Sequence, residues 1–162
     1  MVKIYVDADA CPVKNEIERV ADRHGLKTIL VSDGGIRPSL NPLIDVVTVA
    51  RGADAADDWI AEEILPDDIC VTNDIPLAAR CLKKNASAIK PNGEPFTQAG
   101  IGMTLATRDL MHDLREAGAI TGGPRPFSKS DRSAFLNKLE TMVQAAKRSA
   151  AIRADQTATK SS

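Results

Sequence analysis

Val2-Lys3-Ile4-Tyr5-Val6 runs straight into Asp7-Ala8-Asp9-Ala10-Cys11-Pro12, and the reading of this stretch decides the fold. The β-formers Val2, Ile4, Tyr5 and Val6 make a short buried strand. Two carboxylates follow at once, where a core strand has no use for them. In an open parallel α/β sheet, ligands are met beyond the carboxyl ends of the strands, which is where Asp7 and Asp9 then stand. Pro12 suits the first turn of a helix, where a missing N–H is no loss. Capping of that helix is the plain alternative, because short acids are favoured ahead of a helix N-terminus. One acid would suffice for a cap. Two at about 5 Å in an effective dielectric of about 20 repel by on the order of 3 kcal/mol, so something positive should compensate.

The pattern recurs downstream. Asp68-Ile69-Cys70-Val71-Thr72 reads as another buried strand, and it leads into Asn73-Asp74-Ile75-Pro76-Leu77-Ala78: acid, proline, then a helix to about Lys84. Between the two copies, Val13, Ile17, Val20 and Ala21 recur at helical spacing, with Gly25 as a C-terminal stop, so a helix is expected over about 13–24. His24 falls in its last turn, where a cation suits the helix dipole. Strands are expected at Leu26–Val31, Ile44–Val49 and Ser87–Ile89, with a proline-containing loop at Ile36–Pro42 and a turn at Pro91-Asn92-Gly93-Glu94.

A further helix starts near Asp54 and stops before Pro66. Asp57, Ile60, Ala61 and Ile64 lie at i, i+3, i+4 and i+7, which puts Asp57 on the apolar stripe that faces the sheet. Asp54 sits one turn earlier on the same side, either as N-cap or as part of the same acidic group. Asp58 points towards Glu62 and reads as surface, and Trp59 reads as packing. Gln98 to Ala117 reads as one helix or two, ended by Gly118. The loop Thr121-Gly122-Gly123-Pro124-Arg125-Pro126-Phe127 precedes a last helix that starts around Ser128–Arg132 and passes Phe135, Leu139 and Val143. A Gly-rich turn ahead of a helix, with Arg125, Lys129 and Arg132 nearby, is a candidate phosphate contact or a plain connection.

Strands alternating with helices imply α/β architecture: a three-layer α/β/α domain over residues 1–146 with a mainly parallel sheet of about five strands, then a polar Ala/Ser/Thr-rich tail over 147–162. The length of 162 residues suits one such domain. Aromatics are scarce at 3%, which argues against a base-stacking surface. No apolar run approaches membrane-spanning length, and the expectation is a cytoplasmic protein without membrane partners. Cys11, Cys70 and Cys81 are odd in number and lack CxxC spacing, so neither a disulfide framework nor structural zinc is suggested. Cys11 also lacks the His and Asp pattern of a nucleophile. Residues 1–81 carry a net charge of −7 and residues 82–162 a net +6, an asymmetry that suits either an acidic site beside a basic groove or merely two solvated surfaces.

The architecture would gather Asp7, Asp9, Asp54, Asp57 and Asp74 around one crevice. Oxygen-only ligands suit Mg²⁺ or Mn²⁺ rather than zinc. Such ions polarise a phosphodiester and lower the pKa of a bound water, so the sequence points to metal-assisted phosphate-ester hydrolysis.

Asp7-Ala8-Asp9-Ala10-Cys11-Pro12, Asp54-Ala55-Ala56-Asp57, Asp74-Ile75-Pro76-Leu77-Ala78, Thr121-Gly122-Gly123-Pro124 and Asp131-Arg132 closely resemble, in order, the motifs of the YaiI/YqxD family over about residues 2–145. That family is regarded as similar to PIN-domain nucleases, which implies a PIN-like fold and RNA cleavage by Mg²⁺ or Mn²⁺ held at strand ends. The resemblance places Asp7, Asp9, Asp54, Asp57 and Asp74 in the acidic motifs, Asp7, Asp54, Asp57 and Asp74 carrying catalysis, and makes Arg108, Arg125 and Arg132 candidate phosphate contacts. Two departures stand out: many relatives have Pro-Arg-Gly at Pro91-Asn92-Gly93, and Ala-Asn at Val31-Ser32. Three functions therefore compete: a metal-dependent ribonuclease, a PIN-like module that binds RNA or protein without cutting, and a haloacid-dehalogenase-type phosphatase with Asp7 as nucleophile, Asp9 as acid/base and Ser32 after strand two. Homo-oligomerisation is open in all three.

Overall fold

The computed structural model describes residues 1–52, 54–102 and 126–160. Its centre is the strand read first: β1 (Lys3–Asp7) lies in the middle of a five-stranded sheet of order β3-β2-β1-β4-β5, with β2 at Lys27–Ser32, β3 at Ile44–Thr48, β4 at Ile69–Val71 and β5 at Ser87–Ile89. All four ladders are parallel. Successive side chains of β1 alternate between faces, so Ile4 and Val6 enter one core and Tyr5 the other.

The helices divide accordingly. α1 (Lys14–His24) and the last helix, α4 (Lys129–Lys160), cover one face: Ile17, Val20, Phe135, Leu139 and Val143 are buried against Ile4, Val6, Ile69 and Val71. α2 (Ala55–Glu63) and α3 (Ile75–Lys83) cover the other, with Ile60, Ile64, Leu77 and Cys81 packed on Tyr5, Val31 and Cys70. The result is a three-layer α/β/α domain with two separate cores. Tyr5 and the lone Trp59 meet at a ring-centroid distance of 6.1 Å, so both aromatics are packing residues. Cys70 and Cys81 are buried, as expected of small core side chains.

Local chemistry sets the element ends. Gly25 takes φ 66° and its N–H closes α1 on the Ala21 and Asp22 carbonyls, the left-handed stop that glycine adopts without strain. Ser128 and Asp131 form a reciprocal capping box at the start of α4: the Ser128 N–H donates to Asp131 Oδ2 at 2.9 Å and the Asp131 N–H to Ser128 Oγ at 3.2 Å. The Pro91–Glu94 turn docks on this helix, and a Cβ at Gly93 would lie 2.8 Å from Phe135 N. His24 is held by Glu140 and Lys147 of α4 rather than merely facing the end of its own helix. From Lys147 the chain, expected as a tail, is helical to Lys160, and Arg153 Nε donates to Asp67 at 3.0 Å. Alanines at 145, 146, 150, 151 and 154 account for this, since helix propensity is indifferent to the polarity that suggested a tail. Of the span expected to be helical over 98–117, residues 98–102 are helical and the rest lies outside the described residues.

Strand order reverses at β1. The chain steps from β1 to β2 and β3 on one side, then returns to place β4 and β5 on the other. The carboxyl ends of β1 and β4 therefore flank a topological switch point, where an open parallel sheet leaves a crevice. Among the described residues, no helix is long and apolar enough to cross a membrane.

Candidate metal centre

Three elements bring acids to that switch point. β1 ends at Asp7, and the chain leaving β4 carries Thr72 and then Asp74. Thr72 Oγ1 donates to Asp7 Oδ2 at 3.2 Å and accepts the Asp74 N–H at 2.9 Å, so one hydroxyl fixes both acids. Asp74 is the N-cap of α3: its Oδ1 accepts the Leu77 N–H at 2.8 Å, with Pro76 in the first turn. The first turn of α2 supplies Asp57, whose carboxyl is in hydrogen-bonding contact with that of Asp74.

The electrostatics follow from this crowding. Burial, then Asp74 and Asp7, and lastly Asp54 push the Asp57 carboxyl up to about 7 from an ordinary 3.8. Asp7 is also raised, first by burial and then by Asp9 and Asp74, with the Thr72 hydrogen bond working in the opposite direction. Asp57 and Asp7 are thus each destabilised in the charged form by burial and by neighbouring acids.

A crevice of about 410 Å³ opens beside them, lined by Asp54, Asp57, Asp58, Asp74, Pro76, Leu77 and Arg80. Asp54 stands at the N-cap position of α2 but makes no capping bond. Arg80 Nη1 donates to Asp58 Oδ1 at 2.7 Å, joining α3 to α2 across the crevice. Asp58 therefore faces a neighbouring helix and not simply Glu62.

The other expected site residues are placed differently. Asp9, in a short 3₁₀ turn after β1 (Ala8–Ala10), accepts from Ser32 Oγ at 2.5 Å and from the Asp33 N–H at 3.3 Å, so it ties the end of β2 to the end of β1. It remains close enough to Asp7 to raise it. Arg132 lies under Phe127, with its guanidinium carbon 5.0 Å from the ring centroid; its Nη1 donates to the Pro12 carbonyl at 2.6 Å and stands 3.5 Å from Glu16 Oε1. Those contacts hold α4 to the start of α1. Lys129 is exposed at the beginning of α4. Arg108 and Arg125 lie outside the described residues.

Sequence reasoning missed Thr72 and Arg80. Thr72 is the last residue of the strand-like run before Asn73-Asp74, and a hydroxyl ahead of an acid is the available signal. Arg80 lies 22 residues from Asp58 on a different helix, and no spacing within α3 signals that pairing.

Whether the set suits a metal turns on its chemistry. Among the described residues, no group of three or more His, Cys, Asp or Glu is arranged as a ready-made metal shell. A dehydrated, fully protein-ligated ion is therefore a poor match. Mg²⁺ and ions like it keep several waters and take one or two carboxylates directly, a demand that Asp7, Asp57 and Asp74 meet with oxygen donors alone.

The sequence pattern described as "Uncharacterized BCR, YaiI/YqxD family" matches residues 5–145. A UPF0178 protein of Rhodopseudomonas palustris is 60% identical over 144 residues, covering 89% of this chain and 91% of the relative. UPF0178 proteins of a Bradyrhizobium species and of Paramagnetospirillum magneticum are 56% and 57% identical, covering 96% and 91% of this chain and 94% and 98% of their own lengths. No solved structure matches the chain. Acid motifs at strand ends, an all-parallel five-stranded sheet and end-to-end similarity to these relatives agree: the chain belongs to the YaiI/YqxD family.

Proposed function

We propose that this protein is a divalent-metal-dependent phosphodiesterase acting on RNA from a PIN-like site, with a hydrated Mg²⁺ or Mn²⁺ bound among Asp7, Asp57 and Asp74 and taking one or two of them as direct ligands. One observation carries the reading. Carboxylates from the end of β1, the start of α3 and the first turn of α2 face one another at the switch point, and among the described residues the one cation lining the crevice is already paired with Asp58. A half-buried group of like charges is costly unless something neutralises it, and a hydrated divalent cation does so with the donor types present.

When bound, such an ion polarises a phosphodiester oxygen and lowers the pKa of a bound water. The chain's own residues do the rest. Thr72 orients Asp7, the Leu77 N–H fixes one oxygen of Asp74, and Asp57 is carried on a helix whose apolar side is anchored by Ile60 and Ile64. Asp54 extends the acidic wall outward, and Asp9 contributes by keeping the β1 and β2 ends together.

The phosphatase reading fits less well, because Ser32 and Asp9 are engaged with each other rather than turned to a substrate beside Asp7. Calorimetric titration with Mn²⁺, followed by cleavage of a single-stranded oligoribonucleotide, tests the proposal. The wild type should bind Mn²⁺ and cleave only with metal present, while Asp7→Asn should bind at least tenfold more weakly and Asp74→Asn should lose cleavage by at least a hundredfold. Wild type that binds no Mn²⁺, or Asp7→Asn that binds it equally well, overturns the metal site. Metal binding without turnover moves the protein to the non-catalytic binding class.

A further inference from the structure

We propose that Arg80 is the phosphate arm of the crevice, parked on Asp58 and transferred to a phosphate oxygen of the bound nucleic acid; this rests on the metal-site reading above. A phosphodiester approaching this crevice meets Asp54, Asp57, Asp58 and Asp74, all of its own sign. A metal ion at the inner acids offsets part of that charge, but the outer wall stays acidic. Among the described residues, Arg80 is the cation that the wall itself supplies.

Three features suit it to the task. It lines the same crevice as Asp74, about one and a half turns in from the start of α3, so a phosphate oriented by the inner acids comes within reach of a long side chain. Its pairing with Asp58 is between two well-exposed groups, with side chains 45% and 58% accessible, and such a pair contributes little to stability. Changing partners is therefore cheap. Finally, one guanidinium edge is used by Asp58 through Nη1, and a planar five-donor fork matches a phosphate better than the point charge of a lysine does. Asp58 in turn acts as a parking site that keeps Arg80 from folding onto Asp57 and Asp74 while the crevice is empty of substrate.

The alternative is a plain tie between α2 and α3, and the two accounts diverge on binding. Uridine 5′-monophosphate, which presents a nucleoside phosphate but no cleavable diester, is the probe, titrated calorimetrically in saturating Mn²⁺. Arg80→Ala should weaken its binding at least tenfold while Mn²⁺ affinity is unchanged or tighter, Arg80→Lys should weaken it about threefold, and Asp58→Asn should tighten it at least twofold by freeing the arm. Equal affinity of Arg80→Ala and wild type for the nucleotide, with Mn²⁺ still bound, overturns the role of Arg80 and leaves the metal site standing. If Arg80→Ala fails to fold, Asp58→Asn decides alone: weaker or unchanged nucleotide binding makes the pair a tie between helices. Wild type that binds no Mn²⁺ overturns the metal site and this proposal together.

Discussion

The two ends of the β1–β4 pair carry the same residue type in opposite circumstances. At the amino end, Asp68 is 2% exposed and accepts two backbone N–H groups, from Lys3 at 2.9 Å and Leu65 at 3.0 Å. At the carboxyl end, Asp57 is less deeply placed, and what it meets is other carboxyls. Burial raises the pKa of both, but for Asp68 the two N–H donors and the nearby Lys3 pull the other way, whereas for Asp57 every neighbour pushes further up. An acid surrounded by donors is finished structure. An acid surrounded by acids carries a charge that the fold leaves unrelieved, so the environment separates a fastener from a strained group where the residue type does not.

The largest effect that can break this comparison is at Asp68. Asp68→Ala takes the acceptor from two part-buried N–H groups, and bonds of this kind to a charged acceptor contribute about 1.5–3 kcal/mol each. A loss of about 3 kcal/mol is expected, which for a domain of this size is a fall of about 6–12 °C in melting temperature. Thermal denaturation at pH 7 measures it. A fall below about 2 °C would show that Asp68 fastens nothing and that the contrast between the two ends is empty.

Asp57 should behave in the opposite sense. Its folded-state pKa, about 7 against an ordinary 3.8, means that the native state holds a proton the unfolded chain gives up. Between about pH 4 and pH 7 the folded protein binds more protons, so stability falls as pH rises through that window and is lowest above it. Asp57→Asn should therefore raise metal-free stability at pH 8 and flatten the decline from pH 5 to pH 8. Solvent screening at this half-exposed position holds the gain to about 1 kcal/mol, or about 2–4 °C. Melting curves at both pH values in the presence of a chelator measure it, and a destabilised variant at pH 8 would mean that Asp57 has a partner in the fold.

Much of this was legible in the sequence, and the limits have a physical origin. Strand, acid, proline, helix at Val2–Pro12 and again at Asp68–Ala78 located β1, β4 and the acids between them, because each local signal agreed with the global fold. The i, i+3, i+4, i+7 spacing placed Asp57 beside Ile60, Ala61 and Ile64 correctly, since periodicity reports which face a residue occupies. It does not report what the opposite element presents. That is why Asp58 was assigned to Glu62 when its partner is Arg80, 22 residues on, and why Thr72 went unnoticed beside Asp7, 65 residues away. Asp68 could be read only as the start of a strand until β1 and β4 were neighbours and the Lys3 N–H had somewhere to point. Asp9 matched the same motif as Asp7, yet Ser32 claims it. Here the pairing of β1 with β2 decided what the spacing left open.

Asp54 gives the smallest effect and the finest test of the comparison. It occupies the N-cap position of α2, where losing an aspartate ordinarily costs about 1 kcal/mol. Here its side chain caps nothing, and its charge adds to the load on Asp57. Asp54→Ala gives up a favourable interaction with the helix dipole, on the order of 0.3–1 kcal/mol, and removes a repulsion of similar size from Asp57. The two should cancel to within about 0.5 kcal/mol, so the metal-free melting temperature should shift by less than about 2 °C. A loss of about 1 kcal/mol or more would mean that Asp54 caps α2 in solution and belongs with Asp68 among the fasteners. A negligible shift keeps it with Asp57, as an acid of the crevice wall that fastens nothing in the fold.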